Sequence, residues 1–192
     1  MKKLFTYLFF IIFSFQTPSL ADDIRDFQIE GMSIGDSLLD YFSEEKISVQ
    51  KKHYFPKSKK FIGFAIRSDT YNTYEIVQFH TKDGDDKYII YEISGKFIFK
   101  NNVKECYSRK NEIVYELKQV FPNSTIKNKK TTHTADKSGE SKVISTFFYL
   151  ENNNGYVRIY CTDWTKKMNY DDNLKVSITS EEFSNWLDNE AY

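Results

Sequence analysis

The stretch "NNVKECYSRKNEIVYELKQVF" (residues 101–121) has the residue spacing of an amphipathic helix. Apolar positions recur three and four residues apart from Val103 to Phe121, and Cys106 and Lys110 fall in the same stripe. Pro122 follows directly and ends the helical pattern. The stretch predicts the longest helix of the chain, with one apolar face that packs against another layer.

Short segments rich in β-branched and aromatic residues precede this helix and predict strands. They are "FIGFAIRS" (61–68), "YEIVQFHT" (74–81) and "KYIIYEIS" (87–94). Asp83-Gly84 predicts a hairpin turn between the second and third segments, and Ser94-Gly95 predicts a turn after the third.

A second group of predicted strands follows the helix. The polar stretch from residue 125 predicts a strand that runs into an exposed loop around residues 135–142. "VISTFFYLE" (143–151) and "YVRIYCTDW" (156–164) flank the hairpin signal "NNNG", and "NLKVSIT" (173–179) predicts one more strand.

Capping signals indicate further helices at both ends of the domain. Ser33 with Asp36, and Ser43 followed by two glutamates, predict two short helices between residues 34 and 50. Ser180 opens a short final helix. The expected fold is α+β: a mainly antiparallel twisted sheet, two short N-terminal helices, the long central helix packed on the sheet and a short C-terminal helix.

The N-terminus "MKKLFTYLFFIIFSFQTPSLADD" (1–23) has the form of a bacterial signal peptide. Two lysines precede an apolar run that is too short to span a bilayer. Small residues before the bond between Ala21 and Asp22 predict cleavage there; an uncleaved anchor is the alternative. We expect a signal peptide over 1–21, a single α+β domain over 22–192, a periplasmic or secreted location, and no stable membrane span after processing.

The charge of the predicted mature chain gives no reason to expect a nucleic-acid partner. Without Lys2 and Lys3, the 27 basic residues fall to 25 against 27 acidic ones, and the lysines are scattered. The 17 Phe and 14 Tyr fit either a sugar-stacking surface or a β-rich core, and the core is the favoured interpretation.

The two cysteines, Cys106 and Cys161, are predicted to form a disulfide. Cys106 lies in the apolar helical stripe, and Cys161 shares its strand parity with Val157 and Ile159. A pair of cysteines outside the cytoplasm is usually oxidised, and this bridge would stabilise the fold by about 4 kcal/mol. The alternative interpretation, a reactive thiol, is less favoured because such a thiol needs a nearby base and an accessible, electropositive setting.

No metal site, cofactor site or catalytic motif is predicted. A structural zinc site needs about four ligands, and the three histidines show no ligand spacing: His53, His80 and His133. The chain has no Gly-x-Ser-x-Gly, His-Glu-x-x-His or P-loop sequence. The remaining candidates for catalytic groups are scattered carboxylates. The pairs considered are Asp163 with Glu151 and Asp163 with Asp171.

Two resemblances bear on the class of protein. "QIEGMSIGDSLLDYF" (28–42) resembles the helix-entry motif of SmpA/OmlA-type outer-membrane assembly lipoprotein domains, with Gly31, Met32 and Ser33 matching. That likeness implies two short helices followed by an antiparallel sheet. Most of the mature chain resembles a set of uncharacterised exported proteins from marine bacteria, which implies export and no particular activity.

Two functions are therefore predicted from different classes. The first is a non-enzymatic periplasmic protein that binds an envelope protein or a small ligand. The alternative is an envelope hydrolase that acts on a glycan or peptide through paired carboxylates. A cleft that gathers two carboxylates or a histidine would favour the hydrolase, and a flat apolar patch or open sheet edge would favour the binding protein.

Overall fold

The computed structural model describes residues 24–150 and 155–192. The predicted signal peptide, the Ala21–Asp22 cleavage site and Glu151 lie outside the described residues. In the described part, no helix has the length and apolar character needed to cross a membrane.

Eight strands form one antiparallel sheet. The strands are β1 (His53–Tyr54), β2 (Phe61–Ile66), β3 (Ile76–Lys82), β4 (Glu92–Phe99), β5 (Thr125–Thr132), β6 (Lys142–Tyr149), β7 (Tyr156–Asp163) and β8 (Asp172–Thr179). Their order across the sheet is β1-β2-β3-β4-β8-β7-β6-β5. The helices are α1 (Glu44–Ser48), α2 (Val103–Val120) and α3 (Glu181–Asn189). The α+β class and the antiparallel sheet are confirmed.

The long helix α2 packs on one face of the sheet, mainly against β7 and β8. Asn102 caps its start by accepting a hydrogen bond from the backbone N–H of Glu105. Cys106 and Cys161 are both fully buried between helix and sheet and form a disulfide, with their Cα atoms 6.1 Å apart. The predicted pairing is confirmed, because the apolar stripe of α2 and the apolar parity of β7 face each other.

Lys110 is buried in the same layer, where the stripe places a charged residue among apolar ones. Its side chain is 6% exposed, and its Nζ donates to Thr146 Oγ1 at 2.7 Å. Thr146 in turn donates to Asn128 Oδ1. Burial lowers the pKa of Lys110, because the charged amine loses its hydration.

Lys110→Met should therefore raise the free energy of unfolding by about 1 kcal/mol at pH 7, because it removes a buried charge with which no carboxylate of the described residues forms an ion pair. Since the folded pKa of Lys110 lies below its ordinary value of 10.5, wild-type stability rises between the folded pKa and that value. The advantage of the variant should shrink over the same pH window. Urea unfolding at several pH values measures both effects, with exposed Lys104→Met as the control. A loss of stability in Lys110→Met would mean that the hydrogen bond to Thr146 stabilises the fold by more than the desolvation of the Lys110 amine costs.

The N-terminal helix prediction is only partly right. Ser33 does pair with Asp36, because its N–H donates to Asp36 Oδ2 at 2.8 Å, but no helix follows. The chain instead makes a 3-10 turn over Leu38–Asp40, capped by the hydroxyl of Ser37. The second predicted helix is present as α1, with Ser43 at its N-cap.

The prediction of a turn at Ser94-Gly95 is wrong. β4 runs straight through both residues and pairs with β3 and β8 on its two sides. Gly95 is needed here because the ring of Tyr74 packs over it, where a Cβ would clash with the ring carbons. The predicted strand over 87–94 begins only at Glu92, after a long connection that contains Gly84.

The second face of the sheet, opposite α2, is only partly covered. At one end α3 packs on it through a small aromatic cluster of Phe61, Phe183 and Trp186, joined by Ala191. Ser180 caps α3 by accepting from the N–H of Phe183, as the sequence predicts. The rest of this face is not covered. We call the entire face, including the end under α3, the open face.

Candidate functional site

The register of the strands arranges the side chains of the open face in three parallel rows. The first row is His80, Glu92, Thr179, Tyr156 and Tyr149; the second is Gln78, Ser94, Ser177, Arg158 and Phe147; the third is Ile76, Lys96, Lys175, Tyr160 and Ser145. Polar and aromatic residues predominate in all three rows, whereas the alternate positions of the same strands supply the core.

A cavity of about 420 Å³ lies over the first two rows, with Tyr160 of the third also in its wall. Residues 53–56 and Tyr192 bound it on one side and α3 bounds it on another, through Phe183 and Leu187. Its floor contains polar residues that are almost fully buried, among them Ser177 and Thr179. A partly open cavity of this size with convergent polar groups and aromatic walls has the properties of a small-molecule site.

His80 and Glu92 form a hydrogen-bonded pair at one end of the cavity. Nδ1 of His80 lies 2.6 Å from Glu92 Oε2, and the two side chains are 13% and 9% exposed. The ring of His80 is flanked by Phe55 and Phe183, with ring centroids 5.6 and 4.7 Å away. The pair is held in one position by packing.

The other ring nitrogen of His80 lies over Gly63 on the neighbouring strand. A Cβ at Gly63 would come within 2.6 Å of His80 Nε2, so the glycine makes room for the imidazole. His80 is therefore part of the cavity wall. Its Nδ1 holds the Glu92 carboxylate in place, while its Nε2 is covered by Gly63.

Arg158 lies in the second row, between Ser177 and Phe147. Its Nε and Nη2 donate to Ser145 Oγ at 3.2 and 2.9 Å. Its guanidinium carbon lies 4.0 Å from the ring centroid of Tyr160 and 5.1 Å from that of Phe147. In residues 24–150 and 155–192, no carboxylate forms an ion pair with it.

Tyr156 lines the cavity from the first row, beside Arg158 of the second row. Burial raises the pKa of its hydroxyl, and the hydrogen bond to Thr179 opposes that shift. The tyrosine is therefore a neutral hydrogen-bonding group at physiological pH. Together with Tyr160 it gives the cavity a wall that offers both aromatic faces and hydroxyls.

Of the carboxylates considered in the sequence, the two that the structure describes, Asp163 and Asp171, do not line this cavity. Asp163 ends β7 with the parity of Cys161, which is that of the α2 face, and Asp171 precedes β8 at the opposite end of that strand from the cavity. Asp172, beside them, accepts a hydrogen bond from the N–H of Trp164 and so caps a strand end. Burial and then the charges of Asp163 and Asp171 raise the pKa of Asp172.

Two of the three histidines, His53 and His80, line the cavity, and the third lies elsewhere. His53 lies at the mouth of the cavity, His80 in its wall, and His133 packs on Trp164, with ring centroids 4.2 Å apart. Across the described ranges, no group of three His, Cys, Asp or Glu side chains is arranged to hold a metal ion.

The sequence interpretation did not identify the cavity residues. The sequence does contain a signal for them, in the strand positions that alternate with the core. Gln78 and His80 alternate with Val77 and Phe79, just as Arg158 alternates with buried apolar residues. Such alternation predicts a polar face. Only the register between distant strands, however, shows which polar residues share one cavity.

No family model, curated protein or solved structure matches the chain. The resemblance to SmpA/OmlA-type domains therefore stays a prediction.

Proposed function

We propose that this chain is an exported bacterial envelope protein that binds a small ligand in the cavity of the open face. The observation that carries the proposal is the cavity itself. Its volume of about 420 Å³ falls within the range of ligand sites, and buried polar groups converge in it between aromatic walls. Side chains with this mixture of hydroxyl, amide and guanidinium groups bind ligands by hydrogen bonding and stacking.

Export is the second part of the proposal. The disulfide between Cys106 and Cys161 suits an oxidising compartment, since cytosolic thiols are kept reduced. We propose that residues 1–21 direct export and are removed between Ala21 and Asp22, which leaves the mature protein in the periplasm or outside the cell.

A hydrolase remains the second candidate function, because the cavity does contain a histidine beside a carboxylate. The geometry favours binding over hydrolysis. Glu92 is the one side-chain carboxylate among the described residues that line the cavity, and both ring nitrogens of His80 are already engaged or covered. A general base needs a nitrogen or oxygen within reach of the substrate.

Thermal unfolding in the presence of a small-molecule extract of the native envelope tests the binding proposal. We expect the extract to raise the Tm of the wild-type mature protein, because a ligand that binds only the folded state stabilises it. Leu187→Trp, which fills the cavity from α3, should abolish the rise. Tyr115→Trp on the exposed side of α2 is the matched control and should keep it. The proposal is wrong if Leu187→Trp responds as wild type does, or if no extract shifts the Tm.

A further inference from the structure

We infer that the ligand carries an oxyanion, a carboxylate or a phosphate, which binds to Arg158. The inference rests on the proposed function and adds the chemical class of the ligand.

Arg158 is held ready to bind an anion. Ser145, which is 2% exposed, accepts from both Nε and Nη2, and the guanidinium carbon lies over the rings of Tyr160 and Phe147. These contacts fix the side chain without neutralising it, because a hydroxyl and two rings carry no negative charge. A guanidinium fixed in this way loses little further entropy when it binds a carboxylate or phosphate.

The third row adds positive charge next to Arg158. Lys96 and Lys175 stand directly opposite each other on β4 and β8, although like charges in facing positions destabilise a sheet. Burial and then the charge of Lys175 lower the pKa of Lys96, which reflects the same repulsion. Lys175 Nζ is directed by a bond of 2.8 Å to Gln78, a residue of the cavity wall.

The edge strand β5 extends this positive region. Lys127 faces Phe147 and Lys129 faces Ser145 across the ladder between β5 and β6. The nearby acid in the cavity, Glu92, is paired with His80, and Asp188 lies on the adjoining rim formed by α3. Arg158 is the cation of this group that lines the cavity and the lysines lie beside it, while of the two nearby carboxylates Glu92 already has a partner; this balance favours the binding of an anion.

The walls indicate that the oxyanion is attached to a ring. Tyr156, Tyr160, Phe55 and Leu187 present aromatic and aliphatic surface to the same cavity. A flat or sugar-like ring can pack there while its charged group reaches the guanidinium. The chemistry at Arg158 is the same for a carboxylate and for a phosphate, so the experiment must separate the two.

A series of sugars that differ only at one carbon tests the inference: glucose, glucuronate and glucose 6-phosphate. Titrations of ¹⁵N-labelled mature protein follow the arginine Nε–H signals. At millimolar concentrations we expect at least one of the charged sugars to shift the Arg158 signal and to bind about 10- to 100-fold more tightly than glucose, the range for a hydrogen bond to a charged group. Tighter binding of glucuronate would identify a carboxylate ligand, and tighter binding of glucose 6-phosphate a phosphate ligand.

Arg158→Gln should remove this preference and should also remove the Tm rise caused by the envelope extract. Arg109→Gln is the matched control, because Arg109 is an exposed arginine on α2, paired with Glu112 on the other side of the sheet. Equal binding of all three sugars, or binding of none, would overturn the inference. So would an extract-induced Tm rise that persists in Arg158→Gln; that result would leave the proposed ligand-binding function intact. An extract that stabilises neither wild type nor variant would instead overturn the proposed function.

Discussion

Cys106→Ala should lower the free energy of unfolding by about 4 kcal/mol, because the bridge closes a loop of 55 residues and so restricts the unfolded chain. Alanine is preferred to serine because both cysteines are fully buried, and a hydroxyl there would lack a hydrogen-bond partner. Urea unfolding of the oxidised mature protein measures the difference. We expect Cys161→Ala to lose a similar amount.

The double variant provides the internal control for this prediction. Because one covalent bond is broken in all three proteins, Cys106→Ala/Cys161→Ala should be about as unstable as either single variant. Wild type unfolded under reducing conditions should approach the same value. Additive losses, or single variants that lose less than about 1 kcal/mol, would contradict a structural role for the bridge.

Trp186→Ala should cost about 3–5 kcal/mol, since it empties the centre of the small core that fixes α3 on the open face. Trp186 is 2% exposed and packs against the rings of Phe55 and Phe61, with centroids 4.7 and 4.9 Å away. Its Nε1 also donates to Ser58 Oγ at 2.9 Å. Because α3 forms a wall of the cavity, we expect ligand binding to weaken along with stability.

Two further variants separate packing from other effects. Trp186→Phe keeps an aromatic ring and should lose less than Trp186→Ala, while it breaks the bond to Ser58. Asn185→Ala changes an exposed neighbour on α3 and should leave stability nearly unchanged. If Trp186→Ala cost no more than Asn185→Ala in urea unfolding, the aromatic cluster would not be what holds α3 in place.

The elements that the sequence predicts well are those with strong local signals. The period of α2 and the capping residue Ser180 depend only on residues close in the chain, and the structure has both elements. The disulfide was also predictable, because two apolar faces and two cysteines leave one pairing. These features need no knowledge of which strands are neighbours.

Features that depend on tertiary contacts were not predictable in the same way. Gly95 was predicted to be a turn residue, yet it lies within β4. The ring of Tyr74, which is distant in the chain, leaves no room for a Cβ there. Arg158 and Ser145 meet because β7 pairs with β6 in one particular register, and His80 meets Glu92 because β3 pairs with β4. Alternation identifies the polar residues of each strand, but pairing decides which of them form a site.

A native mass spectrum of the protein recovered from its own bacterial envelope tests the central claim most directly. We expect a chain that starts at Asp22, that is two hydrogen atoms lighter than the reduced sequence, and that carries a small bound compound. The compound should be absent from Leu187→Trp prepared in the same way and present in Tyr115→Trp. A wild-type protein recovered folded, oxidised and with an empty cavity, or one whose bound compound is unaffected by Leu187→Trp, would contradict ligand binding in the open-face cavity.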